Sequence, residues 1–280
     1  MHPAKLPTCN LSPCYYSPSL AYAIPLIVMA LGFTGFVYMH ERHGLLSSDN
    51  FPTRSARFSA YAWLGVLLLV LSVLVIGSSQ RIPSPSQLNE TSFWSLFSFH
   101  VILIGFLAGW WAIVGRPPLK QFFNLPSNDM FRQVMLGVAV GVGGWAITLF
   151  AALVVGLILT GLGLIPDDLK PSPMIPWMAA LPIWQKALII LSAMTVEELF
   201  FRGWLQKRVG LIISTIIFAL AHAGYGQPLM LVGIAVVSII IGVTFYKTRN
   251  LWPCIVAHGV FDAIQLFVIV PIAVQMGGLG

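Results

Sequence analysis

Two adjacent carboxylates, Glu197 and Glu198, lie inside an apolar run, and Arg202 follows Glu198 by four residues. Two histidines, His222 and His258, lie in later apolar runs, and Asp262 follows His258 at the same spacing. An ionisable group inside a bilayer costs at least about 2.5–3.5 kcal/mol on insertion scales. Six such groups in three runs therefore predict one shared buried cluster. Glu198 and Arg202 share a helix face and are expected to pair. Glu197 points about 100° away, which leaves its carboxylate for chemistry. Phe218 and His222 also share a stripe, as do His258 and Asp262. A Glu with two His admits two mechanisms. In one, Glu197 takes a proton from water that His222 helps to hold, while His258 and Asp262 bind the oxyanion of a tetrahedral intermediate, provided that each carries a proton. In the other, His222, His258 and a carboxylate bind zinc, which activates the water. No His-Glu-x-x-His helix favours the second.

The elements that must position these residues are transmembrane helices. Of 280 residues, 58% are hydrophobic and 9% charged, against roughly 25% charged in a soluble domain. A bilayer core needs about 20 helical residues per crossing. Candidate spans run near Ser19–Met39, Ala60–Gly77, Phe93–Val114, Gln133–Ile158, Trp184–Gln206, Leu211–Ala223, Pro228–Tyr246 and Leu251–Val274. The fold class expected is an all-α polytopic bundle of about eight helices. The proline-rich stretch Ile165–Trp177 separates residues 1–180, whose spans hold His100 as their one ionisable group, from a catalytic core at 181–280. The formal charge of +6 is spread over alternate loops, which argues against a nucleic-acid partner. The loops holding Arg54, Lys120, Lys207 and Lys247 carry most of the Lys and Arg and are expected to face the cytoplasm. On that orientation, helix rise puts Glu197, His222, His258 and Asp262 all about 12–18 Å above the cytoplasmic helix ends.

Other features take plainer readings. His100 is expected to pack or bond between helices. Gly109-Trp110-Trp111 reads as an interfacial aromatic belt. Gly137 and Gly141 form a Gly-x-x-x-Gly pair that marks close helix packing. Tyr225, between Gly224 and Gly226, reads as a turn. Cys9, Cys14 and Cys254 have no metal-ligand spacing.

Three motifs, in order and each in an apolar helix, carry a resemblance. Glu197-Glu198-Leu199-Phe200-Phe201-Arg202 fits E-E-x-x-x-R, Phe218-Ala219-Leu220-Ala221-His222 fits F-x-x-x-H, and His258-Gly259-Val260-Phe261-Asp262 fits H-x-x-x-N/D. Over residues 184–275 the chain resembles the CPBP (Abi) family of CAAX prenyl endopeptidases and bacteriocin-processing intramembrane proteases. The resemblance implies that Glu197 is the catalytic base, His222 its water-activating partner, and His258 and Asp262 the oxyanion binders. It implies supporting roles for Glu198 and Arg202, and packing near the site for Phe218. It also implies a glutamate mechanism without a metal cofactor, zinc being the alternative. Characterised CAAX enzymes have Asn where this chain has Asp262. Asp262 must therefore carry a proton to donate to an oxyanion, or else it orients His258.

The function expected is endopeptidase cleavage near the cytoplasmic face of a bilayer, in the plasma membrane if the host is bacterial. The partner expected is a peptide or membrane-protein substrate. CAAX processing additionally needs a host that prenylates proteins. A non-catalytic scaffold or bacteriocin immunity protein is the alternative. A proton-coupled transporter is disfavoured by the lack of repeat symmetry.

Overall fold

The computed structural model describes residues 51–78, 93–164, 172–223 and 227–276, with residue 88 and scattered positions between 27 and 42. Helix dominates, and no strand occurs among the described residues. We number the helices α1 (Arg54–Ser78), α2 (Ser98–Ile113), α3 (Leu119–Phe122), α4 (Met130–Gly161), α5 (Met174–Ala180), α6 (Ile183–Ser192), α7 (Lys207–Ala221), α8 (Pro228–Thr248), α9 (Trp252–Ile264) and α10 (Val270–Met276).

Six stretches among the described residues are long and apolar enough to cross a bilayer. Large apolar side chains such as Phe131, Leu157 and Ile183 are exposed on their outer faces. Lipid is the medium that such a surface requires, so the chain is an integral membrane protein. The fifth and sixth expected spans fold back on each other at Gly210, where φ is 82° and ψ 175°, so that Phe201 packs edge-on to Phe218 with ring centroids 4.8 Å apart. Glycine alone takes that conformation without a Cβ penalty. The first expected span falls largely outside the described residues, as do Cys9, Cys14 and the Gly224–Gly226 turn.

Helix ends follow local chemistry. Asp129 caps α4 by accepting from the Arg132 amide at 3.3 Å, and Asn250 caps α9 by accepting from the Trp252 amide at 3.0 Å. Such caps satisfy amides that have no intrahelical partner. The Leu251 amide donates to the Asn124 carbonyl at 2.8 Å, which ties the α8–α9 turn to the segment after α3.

The tightest packing joins α4 to α9. A Cβ on Gly137 would lie 2.6 Å from Val256 Cβ, and one on Gly141 would lie 2.7 Å from Val260 Cβ. The Gly-x-x-x-Gly pair thus lets two backbones touch, as expected. The aromatic belt is a correction. Trp110 is fully buried, edge-on to Trp204 with ring centroids 5.0 Å apart. Phe106 packs edge-on to the same Trp204 at 4.8 Å, and the Arg208 guanidinium lies over the Trp204 ring at 4.7 Å. The reason is helical phase: Trp110 repeats the face of Leu103 and Phe106, which the core takes up.

Candidate active site

The helix that carries the first motif is not regular. Residues Ala193–Glu197 and Leu199–Gln206 are π-wound, whereas the spacing argument assumed ordinary α-helix. A π-turn widens the ring to i→i+5 and occurs often at functional sites. Glu197 and Glu198 sit where the two π stretches meet. Both are buried, yet they enter different polar groups.

Glu198 enters the inner group. Its Oε1 lies 2.9 Å from Arg202 Nη1 and 2.9 Å from His258 Nδ1. The other end of the guanidinium, Nη2, donates to the Ser238 carbonyl at 3.2 Å and to Ser238 Oγ at 3.1 Å. The Arg202 charge also lies over the Phe218 ring at 4.6 Å. Glu198 and Arg202 are 0% and 1% exposed, so neither reaches water and each compensates the other. The pairing follows the four-residue spacing. The third partner, Ser238 on α8, carries no signal in the sequence.

Glu197 enters the outer group. Its Oε2 lies 3.9 Å from His222 Nε2. His222 Nδ1 lies 2.8 Å from the Phe218 carbonyl. A carbonyl only accepts, so this nitrogen carries the proton, and a neutral ring then presents a bare Nε2 toward Glu197. Glu197 Oε1 meets a residue that sequence reasoning set aside. His100 on α2 approaches it through Nε2 at 3.2 Å, while His100 Nδ1 lies 2.6 Å from Ser192 Oγ. His100 bonds between helices as expected, but to the motif carboxylate itself. Its one sequence signal is that no other ionisable residue interrupts the early spans.

The third motif closes the cluster. His258 Nε2 lies 3.4 Å from Asp262 Oδ2, so both ring nitrogens of His258 face carboxylate oxygens. Phe218 joins the two groups, with its ring centroid 4.7 Å from that of His222 and 6.1 Å from that of His258. His100, Glu197, Arg202, His222, His258 and Asp262 all line one cavity of about 1100 Å³. Glu198 stands behind this wall. Most of the remaining lining is apolar. Trp145 and Gln265 are polar exceptions, joined by an indole donor bond of 3.2 Å. Among the described residues, no three His, Cys, Asp or Glu side chains converge on a point that would hold a metal ion. His222 commits one nitrogen to a carbonyl, and both His258 nitrogens face carboxylates.

All three motifs fall within a segment that matches a protein-family model. Residues 179–264 match the family described as type II CAAX prenyl endopeptidase Rce1-like. The match covers about a third of the chain. His100 and Trp145 come from helices outside the matched segment, although they line the same cavity. An uncharacterized protein of Bacillus subtilis (strain 168), YpbD, is 35% identical over 69 residues, which are 24% of this chain and 36% of that protein. The chain thus spans about a third of that relative's length. No solved structure matches.

Proposed function

We propose that this chain is an intramembrane endopeptidase in which Glu197 and His222 activate water. The observation that carries the reading is the pair of acceptors facing each other. Glu197 Oε2 is buried with no hydrogen-bond partner among the described residues, and it lies 3.9 Å from His222 Nε2. That separation is too long for a direct bond. It suits one water that gives a hydrogen to each acceptor and turns its oxygen toward the cavity. As the water oxygen attacks a peptide carbonyl, Glu197 takes its proton. The new C–O bond pushes the carbonyl electron pair onto oxygen. His258 turns its Nε2–H from Asp262, 3.4 Å away, to donate to that oxyanion, while Glu198 holds its Nδ1 at 2.9 Å. Collapse of the intermediate breaks the C–N bond, and Glu197 returns the proton to the leaving amine. The Glu198–Arg202 pair stays out of the chemistry and fixes the direction of His258.

The apolar cavity favours a substrate with apolar side chains or an attached lipid next to the scissile bond. The Rce1-like match supports a peptide substrate, and the depth argument favours cleavage toward the cytoplasmic side. The test uses purified protein in lipid nanodiscs, a farnesylated CAAX reporter peptide, its unprenylated twin and a library of apolar peptides. Cleavage of any of these that survives 1,10-phenanthroline and is lost in Glu197→Gln is the expected result. Cleavage that phenanthroline abolishes and zinc restores would overturn the glutamate mechanism, and unchanged cleavage by Glu197→Gln would overturn the assignment of the base.

A further inference from the structure

Glu197 is held from a second side by a residue that belongs to none of the three motifs. His100 sits on α2, ninety-seven positions before Glu197 in the chain, and still reaches Glu197 Oε1 at 3.2 Å. Its second nitrogen reaches Ser192 Oγ at 2.6 Å. A carboxylate can only accept, so His100 Nε2 must carry the proton of that bond. In a neutral ring Nδ1 is then bare and accepts from the Ser192 hydroxyl. One tautomer satisfies both contacts: the Glu197 carboxylate selects it, and the Ser192 hydroxyl, which can donate or accept, complements it. The two oxygens of Glu197 therefore have different surroundings, with Oε1 anchored by His100 and Oε2 facing His222.

We infer that His100 is a positioning residue, which fixes Glu197 Oε1 so that Oε2 is aimed at the water shared with His222, and that Ser192 holds the His100 ring in place. This rests on Glu197 being the base proposed above. A carboxylate on a π-wound turn is free to rotate about its side-chain bonds, and the hydrogen bond to His100 removes that freedom. The consequence falls on the chemical step. Substrate binding in the rest of the cavity does not depend on which way Glu197 points, so a lost anchor lowers kcat and leaves KM nearly unchanged. A hydrogen bond to a charged group corresponds to about 10- to 100-fold in rate.

Two measurements test this. The first needs no substrate: ¹⁵N NMR of histidine-labelled protein in lipid bilayers, with the His100 signals assigned by their loss in His100→Gln. A ring protonated at Nε2 and bare at Nδ1, whose signals move in both Ser192→Ala and Glu197→Gln, is expected. An Nδ1-protonated ring, or signals indifferent to Glu197→Gln, would overturn the inference. The second compares steady-state cleavage of whichever peptide the nanodisc assay shows to be a substrate. His100→Leu should lose about 10- to 100-fold in kcat with little change in KM, and His100→Gln, whose amide keeps a donor for Oε1, should recover most of it. A raised KM at unchanged kcat, or no rescue by Gln in a protein of wild-type melting temperature, refutes positioning. If Glu197→Gln itself cleaves normally, or no peptide is cleaved, it is the proposed function that fails, and the NMR result still decides whether His100 anchors that carboxylate.

Discussion

Replacing Arg202 by Ala should destabilise the whole C-terminal bundle, by an amount that the structure allows to be worked out. Arg202 is 1% exposed and Glu198 0% exposed, so the guanidinium cannot reach the headgroup region and water cannot replace it. Removal leaves the Glu198 carboxylate with His258 alone, and it strips a donor from the Ser238 carbonyl and hydroxyl. Breaking a buried pair from one side costs about 3–5 kcal/mol. At about 2–4 °C per kcal/mol for a chain of this size class, the melting temperature should fall by about 6–20 °C. Intrinsic fluorescence suits the measurement, because Trp204 and Trp110 are buried beside the affected helix. The double variant Arg202→Met with Glu198→Gln removes both charges, keeps an acceptor for His258, and should recover most of the loss. Arg202→Lys should recover less, since an ammonium cannot bridge Glu198 and Ser238 with one planar fork. A folded Arg202→Ala protein that melts at the wild-type temperature would refute this reasoning and mean that the pair contributes nothing to stability.

Other outcomes follow from the same geometry. Glu197→Gln and His222→Ala should each abolish cleavage while the protein still purifies as a folded monodisperse species, measured by size exclusion beside the peptide assay. Gly141→Ala should cost about 1–3 kcal/mol, because a methyl there has no room against Val260 and the Ala257 carbonyl; thermal denaturation reads it, and Gly143→Ala, with open space around its position, is the matched control. Cysteines placed at Lys120 and Lys247 in a Cys-free background should be shielded from an impermeant thiol reagent in intact cells, while one at Pro182 should react; the reverse pattern would invert the orientation.

Much of the site was readable because its signals are local. A four-residue spacing in an apolar run already implies that Glu198 meets Arg202, and a Gly-x-x-x-Gly pair already implies that two helices touch. The three motifs could be placed at one depth from helix rise alone. What escaped the sequence has physical causes. His100 reaches Glu197 only through the packing of α2 against the π-wound turn, and no local rule couples residues so far apart. The π-winding leaves no residue pattern, because it results from how the helix satisfies its neighbours. Trp110 was misread because tryptophan suits both a headgroup layer and a core, and only the packed partners Phe106 and Trp204 decide between them.

The glycine contact between α4 and α9 has a consequence for substrate choice. Trp145 lies one turn beyond Gly141 on α4, and its bond to Gln265 joins α4 to the stretch that continues α9. Two rivets therefore set the distance between these walls, one of bare backbone and one of indole to amide. Part of that distance is decided at Gly137 and Gly141, which do not line the chamber. Enlarging residue 137 or 141 would act like a shim, spreading the walls and admitting bulkier chains without altering a single lining side chain. Selectivity in the proposed peptidase can drift, or be engineered, through the hinge side of the chamber while its chemical groups stay as they are.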